Sequence, residues 1–134
     1  MKVSAIITLS AAALINFASA ATIQRRDFEQ PLCGLVEGGD PQSTSPRVEG
    51  LPYLRGKWND DCGAPARTCQ TKSCSWNSRI EVCNDNNHDV HIPCGRVADG
   101  AEAIMNKCGD YHKGQVFNNG PAGGWNIVVR AGSC

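Results

Sequence analysis

The sequence predicts an α+β fold: a small disulfide-rich domain whose antiparallel sheet carries one main helix packed on one face. Three observations lead there. Eight cysteines fall in 134 residues. One stretch near residue 100 repeats apolar side chains at helical spacing, and two others read as strands bounded by turn-rich runs.

The chain begins with an address. Lys2 gives a basic start, Val3–Phe17 is apolar, and Ala18-Ser19-Ala20 has the small-x-small pattern that precedes cleavage. Residues 1–20 therefore read as a secretory signal peptide cut after Ala20. The apolar stretch is short for about 30 Å of hydrocarbon and no second one follows, so no membrane span is expected. Arg25-Arg26 then resembles the dibasic site cut by kexin-type proteases of the fungal secretory path, and an ordinary solvated arginine pair is the alternative. Cleavage after Arg26 makes 21–26 a propeptide and 27–134 the single disulfide-rich domain.

Thirteen basic residues less Lys2, Arg25 and Arg26 leave ten in that domain, against thirteen acidic ones, a net charge near −3. No basic run survives. Phosphate-driven nucleic-acid binding has no footprint here, and strongly cationic membrane-lytic peptides are a poor match.

All eight cysteines (Cys33, Cys62, Cys69, Cys74, Cys83, Cys94, Cys108 and Cys134) lie in 27–134. An even number in a short exported chain reads as four disulfides, each stabilising by about 2–4 kcal/mol where a small core cannot. Spacing does not choose among the roughly one hundred pairings open to eight cysteines. Cys74–Cys134 is the pairing favoured here, because antiparallel neighbours bring one strand's start beside the other's end. Residues 27–73 hold three cysteines, so at least one bridge crosses into 74–134.

Asp27–Gln70 has little periodicity. Pro41–Pro46 reads as a loop, and Gly50–Trp58, with Tyr53, Leu54 and Trp58, as a short strand or an aromatic cover on the core. In Cys74–Val82 the positions Cys74, Trp76, Ile80 and Val82 alternate with Ser75, Asn77, Arg79 and Glu81, with Ser78 as the polar break. That pattern predicts one half-buried strand, stopped by Asn84-Asp85-Asn86-Asn87.

Cys94, Val97, Ala98, Ala101, Ile104, Met105 and Cys108 then form one helical stripe, with Pro93 suited to the first turn and Gly109 to the end. Gly100 inside the stripe costs about 1 kcal/mol relative to Ala, so this helix needs tertiary support. Gly114–Phe117 and Trp125–Ala131 flank a run rich in Gly and Asn and predict a hairpin. Trp125, Ile127, Val129 and Ala131 make its apolar face.

Several constellations carry candidate chemistry. Cys83, His88, His91 and Cys94 could hold a tetrahedral zinc ion, but the spacing matches no strong finger pattern and exported thiols oxidise. His88, His91 and His112 with Glu81 and Glu102 could supply an acid–base pair of the ribonuclease kind. Polar-loop histidines are more often idle, and no basic patch awaits a phosphodiester. There is no GxSxG or HExxH. No metal, cofactor or catalytic residue is assigned, and the chain is read as a non-enzyme. Trp58, Trp76 and Trp125 could stack on sugar rings. Trp76 and Trp125 fall on the apolar parity of their strands and are expected in the core, leaving Trp58 as the ligand candidate. No Asn-x-Ser/Thr site occurs.

The motif CSWNSRIEVCNDN…IPCGRVADGAEAIMNKCG…GQVFN…GWNIVVRAGSC, behind a signal peptide and Arg25-Arg26, resembles small secreted cysteine-rich effectors of filamentous fungi. Its strand–helix–Gly–strand–Ser-Cys order, over residues 73–134, is topologically similar to the necrosis-inducing effector domain and the killer-toxin-like proteins. That resemblance implies helices on one face of an antiparallel sheet. It also implies a fungal, virulence-associated protein, secreted and extracellular, that binds a host or competitor component. An antimicrobial or killer-toxin-like protein is the alternative, and a small hydrolase such as a ribonuclease a third. Loops 85–91 and 118–124, with Trp58, Asp85, Asn87, His88 and Asn119, are the expected contacts of a monomer with an extracellular protein or carbohydrate.

Overall fold

The computed structural model describes residues 28–118 and 123–134. The leader, the processing points Ala20 and Arg26, and Asn119 lie outside them.

Five strands form one antiparallel sheet: β1 (Leu32–Cys33), β2 (Thr68–Ser75), β3 (Ser78–Asn84), β4 (Gly114–Phe117) and β5 (Trp125–Ala131). Their order across the sheet is β1-β4-β5-β3-β2. Helix α1 (Leu51–Gly56) and the longer α2 (Cys94–Cys108) complete the expected α+β architecture. Both contribute buried side chains to the core that the sheet's inner face shares.

The helical stripe folds as read. Val97, Ala98, Ala101, Ile104 and Met105 of α2 are buried against Ile80, Val82, Val116, Ile127 and Val129 of the sheet. Pro93 caps the helix from just outside rather than within its first turn, and Gly109 ends it at φ 93°, its N–H donating to Met105 O at 2.9 Å. Gly100 has a packing reason: a Cβ there would lie 2.3 Å from Ile127 Cδ1, so its bare backbone lets α2 approach β5. The β4–β5 hairpin forms, and Trp125, Ile127 and Val129 face the core.

Two expectations are corrected. Cys74–Val82 is not one strand but two strand ends around a two-residue turn, Trp76-Asn77, with φ 51° and 52°. Both positive φ values suit the primed turns whose twist matches a hairpin. Trp76 is therefore 74% exposed, not in the core, while Ser78 is buried where β3 begins. Ser78 Oγ accepts the N–H groups of Gln42 (2.8 Å) and Ser43 (3.1 Å), which explains a hydroxyl at that position.

The arm read as irregular is partly helical. Pro46–Gly50 forms a π-helical turn that runs into α1 and buries Leu51 and Leu54, instead of a strand at Gly50–Trp58. Pro46 opens the π-helical turn, where a missing N–H costs no helical bond, and Pro52 opens α1 directly after it.

All eight cysteines are paired, as Cys33–Cys108, Cys62–Cys94, Cys69–Cys83 and Cys74–Cys134. The favoured Cys74–Cys134 bridge is present, and the other three cross between 27–73 and 74–134. On the outer face of the sheet, Glu81 is buried between Arg130 Nε (2.6 Å) and Arg79 Nε (3.1 Å). The strap after β1 covers that face, with Arg130 Nη1 donating to Glu37 O at 3.0 Å and Gln115 Nε2 to Leu35 O at 3.1 Å.

Candidate functional site

The richest cluster of exposed functional side chains forms where the segment after α1 meets the segment before α2. Residues 60–64 and 90–94 run antiparallel, with bridges Asp61↔Pro93 and Ala64↔Val90. Cys62 N–H donates to Ile92 O at 2.7 Å, and the Cys62–Cys94 disulfide clamps the pair of segments together. Loop residues are thereby fixed by a ladder and a covalent bond at once.

On this clamp Asp61 meets His91, with Nδ1 to Oδ2 at 2.6 Å, although the imidazole is 80% exposed. Asp61 Oδ1 accepts the Gly63 N–H (2.8 Å) and the Ile92 N–H (3.2 Å). The hydrogen bond from His91 is the main cause that holds the Asp61 carboxyl below the usual carboxylate range, helped by those two amides. The same bond, with the charge of Asp61, raises the His91 imidazole. Because Asp61 occupies Nδ1, the free ring nitrogen is Nε2, which accepts a hydrogen bond when neutral and donates when protonated.

Trp58 completes this ledge. Its indole is 49% exposed and lies against the backbone of Gly95, whose Cβ, if present, would meet Trp58 Cδ2 at 2.3 Å. Shallow hollows flank the ridge made by His91 and Asp61. One, of about 270 Å³, is lined by Asn59, Asp60, Asp61, His91, Ile92 and Pro93. The other, of about 160 Å³, is lined by residues that include Gly63, Pro65, Asp89 and His91. An indole held on Gly95 and a carboxylate–imidazole pair, both carried by the clamped segments, suit a polar ligand with a flat apolar side.

The other expected site residues are distributed as follows. His88 is exposed, and its carbonyl accepts from Asn84 Nδ2 at 2.8 Å. Asn84, read only as a turn residue, is buried and also donates to Ala64 O and Pro65 O, so it holds the 85–91 loop onto the 62–66 segment. Asp85 and Asn87 are exposed. The 85–91 loop adjoins the 123–124 end of the other expected contact loop: Asp85 N–H donates to Gly124 O (2.8 Å) and Asn86 Nδ2 to Gly123 O (2.9 Å).

The proposed acid–base set is not assembled. His112 lies past the far end of α2, a helix of 15 residues, roughly 22 Å from its start at 1.5 Å per residue. Glu81 is committed to Arg79 and Arg130, and Glu102 to Arg55 at 2.5 Å. Cys83 and Cys94, the thiolates of the zinc reading, are both oxidised. Trp125 is in the core and contacts Phe28 edge-on, with ring centroids 6.0 Å apart.

Comparison with protein-family models, curated proteins and solved structures found no match to this chain. Among the described residues no helix is long and apolar enough to cross a membrane.

Proposed function

We propose that the protein is a secreted fungal effector, virulence-associated, that acts outside the cell by binding a host or competitor component through the Trp58–Asp61–His91 ledge. What supports the reading is rigid display. An exposed indole and an exposed imidazole are each held in place, one on Gly95 and one on Asp61, beside a disulfide. Preorganised groups lose little freedom on binding, so a small contact surface yields useful affinity. Four disulfides fit an oxidising, extracellular setting.

The test is capture by the purified, oxidised protein from host extracellular fluid and from the surfaces of competing microbes. Wild type retains a component that Trp58→Ala and His91→Ala release. Retention of nothing by wild type, or equal retention by both variants, would overturn the reading.

A further inference from the structure

β2 is an edge of the sheet, eight residues long and paired only with β3. Its open side can be mapped. Ser75↔Ser78 closes the two-residue turn and so exchanges both ladder hydrogen bonds, which leaves Cys74↔Arg79 as a non-bonded pair. Cys69↔Cys83, with Cα atoms 3.9 Å apart, has the close spacing of a non-bonded pair, and Thr71↔Glu81, two residues on, shares its phase. Cys69, Thr71 and Cys74 therefore turn their N–H and C=O groups away from β3, toward the free edge.

Alongside that edge runs a groove of about 350 Å³, walled by Glu49 and Tyr53 from the helical arm and by Lys72, Ser73, Cys74 and Ser75. The ladder slips between Thr71 and Ser73, leaving Lys72 as the bulged residue. Arg47, Arg55, Arg79 and Arg130 each meet a carboxylate within 4 Å, but Lys72 makes no such pair among the described residues. Burial lowers its pKa, and the charge of Asp61 opposes that.

We infer that this groove docks an extended peptide of a partner protein. The peptide adds to β2 as a sixth strand, and one of its carboxylate side chains meets Lys72. Main-chain bonds to Cys69, Thr71 and Cys74 supply the attachment, and the Lys72 amine supplies the choice of sequence. The occupant is not a second copy of β2: Lys72 is that strand's only charged residue, so a copy brings it no carboxylate. The groove shares no lining residue with the hollows beside Asp61 and His91, so each surface is tested by its own variants.

A lysine and a bulge on an edge strand are also devices that prevent pairing. The two readings give opposite results. The probes are N-acetylated, C-amidated heptapeptides of alternating Val and Thr, with Glu or Lys at the central position, added to the isotope-labelled, oxidised protein. The Glu peptide is expected to shift the amide resonances of Cys69, Thr71 and Cys74 at concentrations up to about 1 mM, with the Lys peptide at least about fivefold weaker. Lys72→Ala removes that preference, Trp58→Ala leaves it intact, and N-methylation of the peptide nitrogens that face β2 abolishes binding. The inference is overturned if neither peptide binds, if both bind equally, or if Lys72→Ala makes the protein self-associate while leaving Glu-peptide binding unchanged.

Discussion

The indole of Trp58 and the backbone of Gly95 are locked together: Gly95 N–H donates to Trp58 O at 3.1 Å, and the ring fills the space a side chain at 95 would need. Gly95→Ala is therefore expected to leave the fold standing while moving the ring. Alanine gains up to about 1 kcal/mol of helix propensity, and a half-exposed indole is free to swing outward. The Trp58 indole Nε1–H resonance should shift and ledge binding should fall, with the unfolding midpoint changed by only a few degrees. An unmoved resonance would show that the ring does not depend on the glycine.

The Asp61–His91 pair sets a pH window. His91 is raised when folded, so its contribution is present below its unfolded pKa of about 6.5 and fades as pH rises through the folded value. Asp61 is lowered when folded, so its contribution is present above about 3.9 and fades as pH falls through the folded value. The pair is thus strongest between about pH 4 and pH 6.5. In an NMR titration, Asp61→Asn should lower the His91 pKa. If the His91 curve stays where it was, the two residues do not interact in solution.

Trp76 occupies a left-handed turn position at φ 51° that costs a bulky residue roughly 1–2 kcal/mol. Trp76→Asn, with the side chain such turns favour, should raise stability by about 1 kcal/mol in urea unfolding. A loss instead would mean the exposed indole makes stabilising contacts.

The bridges should not contribute equally. Cys69–Cys83 closes a loop of 14 residues already held by the β2–β3 ladder, whereas Cys33–Cys108 closes one of 75. On loop entropy the paired Ala replacements should cost about 3 and about 4.5 kcal/mol respectively. Urea unfolding of the two double variants tests the order, and its reversal would place the difference in native packing rather than in the unfolded chain.

The residues that were legible in the sequence are those whose neighbours repeat. The α2 stripe from Cys94 to Cys108 and the alternation of Trp125, Ile127 and Val129 are local patterns, and both fold as their periods dictate. The Trp76-Asn77 turn was hidden because it holds no glycine, and because Trp76 keeps the strand alternation while actually leaving the strand. The helical arm was hidden by Pro46, Pro52, Gly50 and Gly56, which read as breakers although the prolines sit at first-turn positions. Of the ledge, Trp58 is legible as the tryptophan that lies on no strand's apolar face. The partnership of His91 with Asp61, 30 residues away, has no local signature, and neither does the Asn84 clamp on three carbonyls. Such contacts depend on which segments the bridges bring together, and spacing does not disclose cysteine pairing.

The arrangement of the bridges has one more consequence. Cys33–Cys108 and Cys74–Cys134 overlap, so every peptide bond from Cys33 to Cys134 lies inside at least one covalent ring. A single hydrolytic nick anywhere in that span adds the mass of one water and sheds no fragment. In a medium full of digestive enzymes, any two nicks in different inter-cysteine intervals still shed nothing, and only a third, as when 33–62, 94–108 and 108–134 are all cut, frees a bridged piece without a reductant.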